Sequence, residues 1–228
     1  RKIDVLEGEV NTKGSVVIEP LESGFGSTLG QALRRTLLSS LQGAAVTSLQ
    51  INGILHEFTS IPGMTEDITD FMLNIKDLSI KLSSDKSKKI ILEAKGPGVI
   101  KASQIVTGSD VEIVNKDLIL CHLDKTGKIN LEMTVENGKG YVTAQQKKKG
   151  DEPIGLLFLD SLFSPVRKVS YKIENSRVGQ ITDYDKLIIN VETNGTLSPD
   201  DAIALSARIL QEQLQYFVNF EEPKIEEK

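Results

Sequence analysis

The sequence predicts an α+β protein in which an outer domain, an antiparallel sheet with two long helices, is interrupted by an inserted β-rich α+β domain. Three observations carry that expectation. Residues 24–42 form a glycine-rich lead-in followed by an amphipathic helical pattern. Residues 198–219 hold a second helical pattern with a clear start signal. Between them, from about residue 44 to 164, the texture changes to short strands punctuated by glycine and charged turns. The outer domain is therefore expected over 1–43 and 165–220, the insert over 44–164, and the start of a flexible linker over 221–228.

The 228 residues are enough for one large or two modest cores. Hydrophobic content of 39% and charged content of 26% are those of ordinary globular chains. No apolar run is long enough to span a membrane. Arg1-Lys2-Ile3-Asp4-Val5 leads into no apolar core of a signal peptide. A single cysteine, Cys121, excludes an internal disulfide and suits a reducing compartment. The net charge of −5 argues against tight non-specific DNA binding by this chain alone. Lys147-Lys148-Lys149 is the densest basic run, but Asp151 and Glu152 follow it, as in a solvated loop.

Taken in order, residues 3–10 and 15–21 read as a hairpin turned by Asn11-Thr12-Lys13-Gly14, with Val16, Val17 and Ile18 as strand residues and Pro20 as its end. In the helix that follows, Leu29, Leu33, Thr36 and Leu37 gather on one side with Ala32, while Gln31, Arg35, Leu38 and Gln42 gather on the other. An arginine beside a leucine on the outer side is the composition of a contact centre. The alternative is a surface arginine and a leucine covered by the rest of the same domain. Gly43 is expected to stop the helix.

Residues 46–51 read as a strand, Asn52-Gly53 as a turn, and 54–58 as a second strand. Thr65-Glu66-Asp67 opens a short helix with Ile68, Phe71, Met72 and Ile75 on one face. Leu78/Ile80/Leu82, Ile90/Leu92, Val111/Ile113, Leu118/Leu120 and Leu131/Met133/Val135 alternate as short strands, and 145–153 forms a charged loop. Val169/Tyr171/Ile173 and Leu187/Ile189/Val191 alternate as two strands joined by a polar connection over 176–185. After the turn at Asn194-Gly195, Ser198-Pro199-Asp200-Asp201 supplies an N-cap, a proline at the first helical position and acids in the first turn. Ile203, Ala207, Leu210, Leu214 and Phe217 then recur every three or four residues, with Leu205, Ile209 and Val218 off that seam. A helix apolar on more than one stripe accommodates a second partner, which in a homodimer is its own copy. It equally suits a helix wedged between its sheet and another helix of the same chain.

Little here points to chemistry. Gly24, Gly26 and Gly30 resemble a phosphate loop, but Pro20-Leu21-Glu22-Ser23 intervene after the strand and a β hairpin follows the helix. A tight turn and close packing explain the glycines as well. His56, His122 and Cys121 lack metal-ligand spacing, and adjacent Cys121 and His122 in a strand point to opposite faces. Glu66-Asp67 and Asp200-Asp201 sit at helix starts, where the dipole accounts for them. No nucleophile has a base at a motif spacing. Two rivals stay open: an enzyme that uses the glycine stretch to bind nucleotide, and a stand-alone homodimeric regulator.

Several long stretches resemble one family in its own order. Residues 24–40, GFGSTLGQALRRTLLSS, are similar to the first-helix signature of the amino-terminal domain of bacterial RNA polymerase alpha subunits. So are Gly63-Met64-Thr65-Glu66-Asp67-Ile68 with Leu73-Asn74-Ile75-Lys76, Val111-Glu112-Ile113-Val114, Pro153-Ile154-Gly155, residues 175–187, and Glu192-Thr193-Asn194-Gly195-Thr196. The resemblance spans residues 1–220. It implies a subunit with no catalytic residues, cofactor or metal, which dimerises and nucleates assembly, one copy holding the β subunit and the other β′. The dimer would be built from the first and last helices, through Leu29, Leu33, Leu37, Ile203, Ala207, Leu210, Leu214 and Phe217. The β-facing surface would carry Gln31, Arg35, Leu38 and Lys76. The β′-facing surface would carry Leu159, Ser161, Pro165, Leu187 and Ile189. Gln31 and Ser27 stand where other members often have Asn and His. DNA and activators would be met only through a carboxy-terminal domain beyond the linker, so promoter contact is expected to be missing from this chain, which also begins just before the first strand. No membrane is implied, and the setting is a bacterial cytosol or nucleoid, or a plastid stroma.

Overall fold

The computed structural model describes residues 12–56, 58–148, 150–178 and 181–218. Along the chain, β1 (Lys13–Glu22) and α1 (Phe25–Ser39) are followed by β2 (Gln42–Ile51), α2 (Ile68–Lys76), β3 (Ile80–Leu82), β4 (Lys88–Lys95), β5 (Gly98–Lys101), β6 (Val111–Ile113) and β7 (Ile119–Leu123). Then come β8 (Lys128–Lys139), β9 (Tyr141–Val142), α3 (Ala144–Lys147), β10 (Leu156–Phe158), β11 (Ser161–Leu162), β12 (Val166–Val178), β13 (Ile181–Thr193) and α4 (Pro199–Val218). These elements form two compact units. One takes the chain up to Ser40, Lys168–Glu192 and everything from Ser198 onward; the other takes Leu41–Arg167 with Thr193–Leu197. The class is mixed α+β, as the sequence predicts.

The first unit is built on a three-stranded sheet in the order β1-β13-β12. Period-two alternation turns Leu187, Ile189 and Val191 of β13 inward, where all three are buried. Helices α1 and α4 pack against one another. Helix α4 starts as expected: Ser198 Oγ accepts the Asp201 N–H at 3.3 Å, and Pro199 takes the first position. It buries Pro199, Ala202, Ile203 and Ser206. Three details differ from the sequence expectation. Residues 3–10 lie outside the described residues, and Lys13 and Gly14 are paired strand residues opposite Glu192 and Val191 rather than a turn. Pro20 does not end β1, because a register shift between Ile18 and Leu21 absorbs its missing N–H. The polar connection over 176–185 is mostly strand, since β12 runs to Val178 and β13 begins at Ile181.

Helix α1 ends at Ser39 with Ser40 as its C-cap, so Gln42 and Gly43 belong to β2 and not to the helix. Gly43 has a different reason to be glycine: a Cβ there would stand 2.0 Å from the Phe163 carbonyl oxygen.

In the second unit, β4-β8-β2-β3-β6 form the main sheet and β10 pairs with β2. Two two-stranded sheets, β5-β7 and β9-β11, flank it. Ile68, Phe71 and Ile75 of α2 enter a core with Leu49, Ile90, Leu92, Leu131 and Met133. Asp67 caps α2 by accepting the Asp70 N–H at 2.7 Å. The expected strand over 54–58 is absent: the Ile54 N–H closes a turn onto the Ile51 carbonyl, Glu57 lies outside the described residues, and Phe58 is 85% exposed. Leu78 and Leu118 sit just outside strands. The expected charged loop begins with α3, a single turn closed by a Thr143–Gln146 capping box.

Candidate interaction surfaces

The glycine stretch at the start of α1 is an anion site that the chain fills itself. Gly24 adopts φ 87° as the N-cap and supplies no side-chain cap. Both the Gly24 and Gly26 N–H groups instead donate to Asp185 Oδ2 of β13, at 3.0 and 2.9 Å. A helix N-terminus attracts negative charge, and here a carboxylate of the same chain provides it. A Cβ on Gly26 would stand 2.8 Å from that oxygen, and one on Gly30 2.7 Å from the Tyr171 ring. The glycines therefore admit strand side chains to the helix.

The other suspected chemical groups are tied into the fold. Cys121 is wholly buried while His122 is half-exposed, so the two do point to opposite faces. Burial, with the Glu66 charge nearby, pushes the Cys121 thiol up to about 12, which removes it as a nucleophile. His122 Nδ1 lies 2.6 Å from Glu66 Oε1, and its N–H donates to Glu66 Oε2 at 2.8 Å. Glu66 thus clamps β7 rather than serving the dipole of α2. His56 pairs with Thr59 Oγ1 at 3.0 Å. Among the described residues, no group of three or more His, Cys, Asp and Glu is placed to hold a metal ion.

On α1, Gln31 and Arg35 are exposed and Leu38 is half-buried, so the outer side holds an accessible guanidinium beside a partly accessible leucine. The opposite side is far less accessible. Leu33 and Leu37 are buried within one copy, Leu37 completely, and only Leu29 is partly accessible. Their apolar stripe is spent on the core of their own unit. Helix α4 divides differently. Ile203 is buried, Ala207 is exposed and Leu210 is half-buried, while Leu214 and Phe217 are 60% and 72% exposed. Tyr216 and Val218 are also exposed, so the last turns of α4 are uncovered and rich in apolar side chains.

The second unit carries an open cleft of about 250 Å³ lined by Phe58, Thr69, Met72, Leu73, Lys76, Ala144, Phe158, Leu159 and Asp160. Lys76, the last residue of α2, pairs with Asp160 at 3.6 Å. The Ala144 N–H donates to Asp160 at 2.7 Å. That bond, with the Tyr141 phenol and then Lys76, holds the Asp160 carboxyl below its ordinary 3.8. Lys147 donates to the Leu159 carbonyl at 2.7 Å and to Ser161 Oγ, with its ammonium 5.8 Å from the Phe163 ring centre. Burial lowers the pKa of that ammonium, and the Glu136 and Asp160 charges offset part of the shift. Lys147 is therefore a bolt between α3 and β11, not part of a loose basic patch.

The residues expected to face β′ are as inaccessible in one copy as Leu33. Leu159, Ser161, Pro165, Leu187 and Ile189 are all buried in one copy. Ser161 Oγ donates to the Val46 carbonyl at 2.8 Å, and Leu187 and Ile189 are core. In an alternating strand the apolar positions are the inward ones, which accounts for the burial of Leu187 and Ile189 on β13. Leu159 and Lys76, expected on surfaces for different partners, line the same cleft. In the sequence, Asp160, Tyr141, Phe58 and Leu73 carry no expectation of a partner contact. Leu73 alone left a trace, as the leucine off the buried stripe of α2.

Residues 49–164, half of the chain, match the model of the RNA polymerase Rpb3/RpoA insert domain. The matched stretch contains α2, the main sheet except for most of β2, and the whole Lys76–Asp160 cleft. The chain belongs to the RNA polymerase Rpb3/RpoA insert-domain family, as a polymerase subunit of the alpha type.

Proposed function

We propose that this subunit is a non-catalytic scaffold, which pairs with a second copy of itself and gathers the β and β′ subunits. In this reading the outer domain over 1–43 and 165–220 dimerises, and the insert over 44–164 contributes to large-subunit contact. DNA and activators are left to a separate carboxy-terminal domain, and the work is done in the cytosol or in a plastid stroma. The observation that carries the reading is the uncovered end of α4, where Leu214, Tyr216, Phe217 and Val218 all face solvent in one copy. A second copy, which brings the same face to the contact, is the simplest cover for such an apolar face. The division of the packed units at Ser40 and Arg167 supports the discontinuous outer domain. The accessible Gln31–Arg35–Leu38 face supports a β contact, because a guanidinium makes several fixed hydrogen bonds while a neighbouring apolar group excludes water from them.

The nucleotide-enzyme reading loses its main feature, since Asp185 occupies the position a phosphate would need. The deciding experiment measures the mass of the purified chain in solution, then mixes it with β. Arg35→Ala should keep the dimer and weaken β capture by about 2–4 kcal/mol, as a central contact would. A chain that stays monomeric, or an Arg35→Ala variant that captures β as well as the parent, overturns the corresponding half of the reading.

A further inference from the structure

We propose that Asp160 is the positioning residue for the Lys76 contact, and that the cleft they share receives a neutral, apolar segment of the β subunit through its main-chain carbonyls. This rests on the reading of Lys76 as a large-subunit contact. Four observations lead to it. First, the cleft is apolar on one side, with Phe58, Met72, Leu73 and Phe158, and bears a single ion pair on the other. Second, that pair is partly exposed, and such pairs add little to folding. Third, Asp160 is nonetheless fixed from behind by the Ala144 N–H and the Tyr141 phenol. The Thr143–Gln146 capping box holds Ala144 in turn, and the Lys147 bolt to Leu159 and Ser161 flanks Asp160 on both sides. Fourth, an ammonium has three donors and Asp160 engages one side of it, leaving donors for a partner.

The charge balance selects the partner's chemistry. Lys76 and Asp160 together are close to neutral, and a second carboxylate arriving at Lys76 would meet Asp160 at short range. Carbonyl oxygens carry no such repulsion, and the side chains of the same segment can settle on Phe58 and Leu73. Holding a lysine still before binding removes rotamer entropy that a free lysine would lose on contact.

The test uses the full chain and purified β, with affinity titrated for the parent, Lys76→Ala, Asp160→Asn, Asp160→Ala and the double variant Lys76→Ala/Asp160→Ala. Asp160→Asn keeps an oxygen for Ala144 and Tyr141, so it preserves the fold should Asp160→Ala loosen α3; thermal midpoints check both. Lys76→Ala should weaken β capture about tenfold. Each Asp160 variant should weaken it severalfold, and the double variant should be no weaker than Lys76→Ala alone. The parent's affinity should change little with salt at this site, so the Lys76→Ala loss should be the same at about 0.1 and 0.5 M salt. Asp160→Asn, with its lysine unpaired, should become more salt-sensitive than the parent. If Asp160→Asn binds like the parent while Lys76→Ala weakens binding, or if the two losses multiply in the double variant, the positioning role is overturned and the Lys76 contact stands. A Lys76→Ala loss that vanishes at high salt overturns the carbonyl partner in favour of an acidic one. A Lys76→Ala variant that binds like the parent removes the contact itself and the inference with it.

Discussion

The most direct perturbation of the scaffold is Leu214→Glu on α4. Leu214 is 60% exposed in one copy, so covering it with a second copy buries roughly half of a leucine. Burying a whole leucine is worth about 1.5–3 kcal/mol, hence about 1–2 kcal/mol per copy here. Twofold symmetry counts the residue twice, giving about 2–4 kcal/mol for the pair. A glutamate at the seam also loses water without a cation opposite it, which adds to the loss. The dimer dissociation constant should therefore rise about 30- to 1,000-fold. Sedimentation equilibrium across a concentration series reads this directly. Secondary structure by circular dichroism should not change, since most of the side chain faces solvent in its own copy. A Leu214→Glu chain with the parent's dissociation constant would refute the assignment of this helix end to the dimer, whatever becomes of the β contact.

Three further outcomes follow from the geometry. Asp185→Ala strips α1 of its cap, so urea unfolding should show a loss of about 1–2 kcal/mol, with Asp185→Asn intermediate. Gly43→Ala forces a Cβ to within 2.0 Å of the Phe163 carbonyl and should destabilise the protein by about 1–3 kcal/mol, read as a lowered thermal midpoint. Burial pushes the Glu66 carboxyl up, but hydrogen bonds from the His122 ring and N–H outweigh it and hold the group below its ordinary 4.5. A carboxyl lowered by folding adds stability above its unfolded pKa and gives it up as pH falls through the folded one. Urea midpoints of the parent should thus fall further than those of Glu66→Gln between about pH 5 and pH 3.

Much of the fold was legible because helices and half-buried strands announce themselves by period. The α2 face of Ile68, Phe71 and Ile75 and the β13 face of Leu187, Ile189 and Val191 were read directly and are buried. What escaped were features made by distant partners. Gly43 looks like a helix stop until Phe163 arrives beside it. Residues 176–178 and 181–185 look like a loop because most of their side chains are polar, yet backbone pairing extends them as strands. The interaction surfaces were harder. The accessible outer side of α1 is readable from Arg35 and Leu38; Leu33 and Leu37 rest on apolar spacing, which first reports the core, and the five residues expected at β′ rest on the family resemblance alone. The cleft joins Phe58, Lys76, Tyr141 and Asp160, whose neighbours in sequence carry no shared pattern.

The carboxylate that completes α1 belongs to a strand made much later. On the ribosome, α1 leaves the exit tunnel about 7–30 s before Asp185 does at ordinary elongation rates. Nearly all of the unit from Leu41 to Arg167 emerges in that interval, with only a five-residue piece, Thr193–Leu197, still to come. Synthesis therefore delivers the middle of the nascent chain as its earliest finished body. The amino-terminal helix waits, its lead-in unmatched and its oily side uncovered, until β13 arrives.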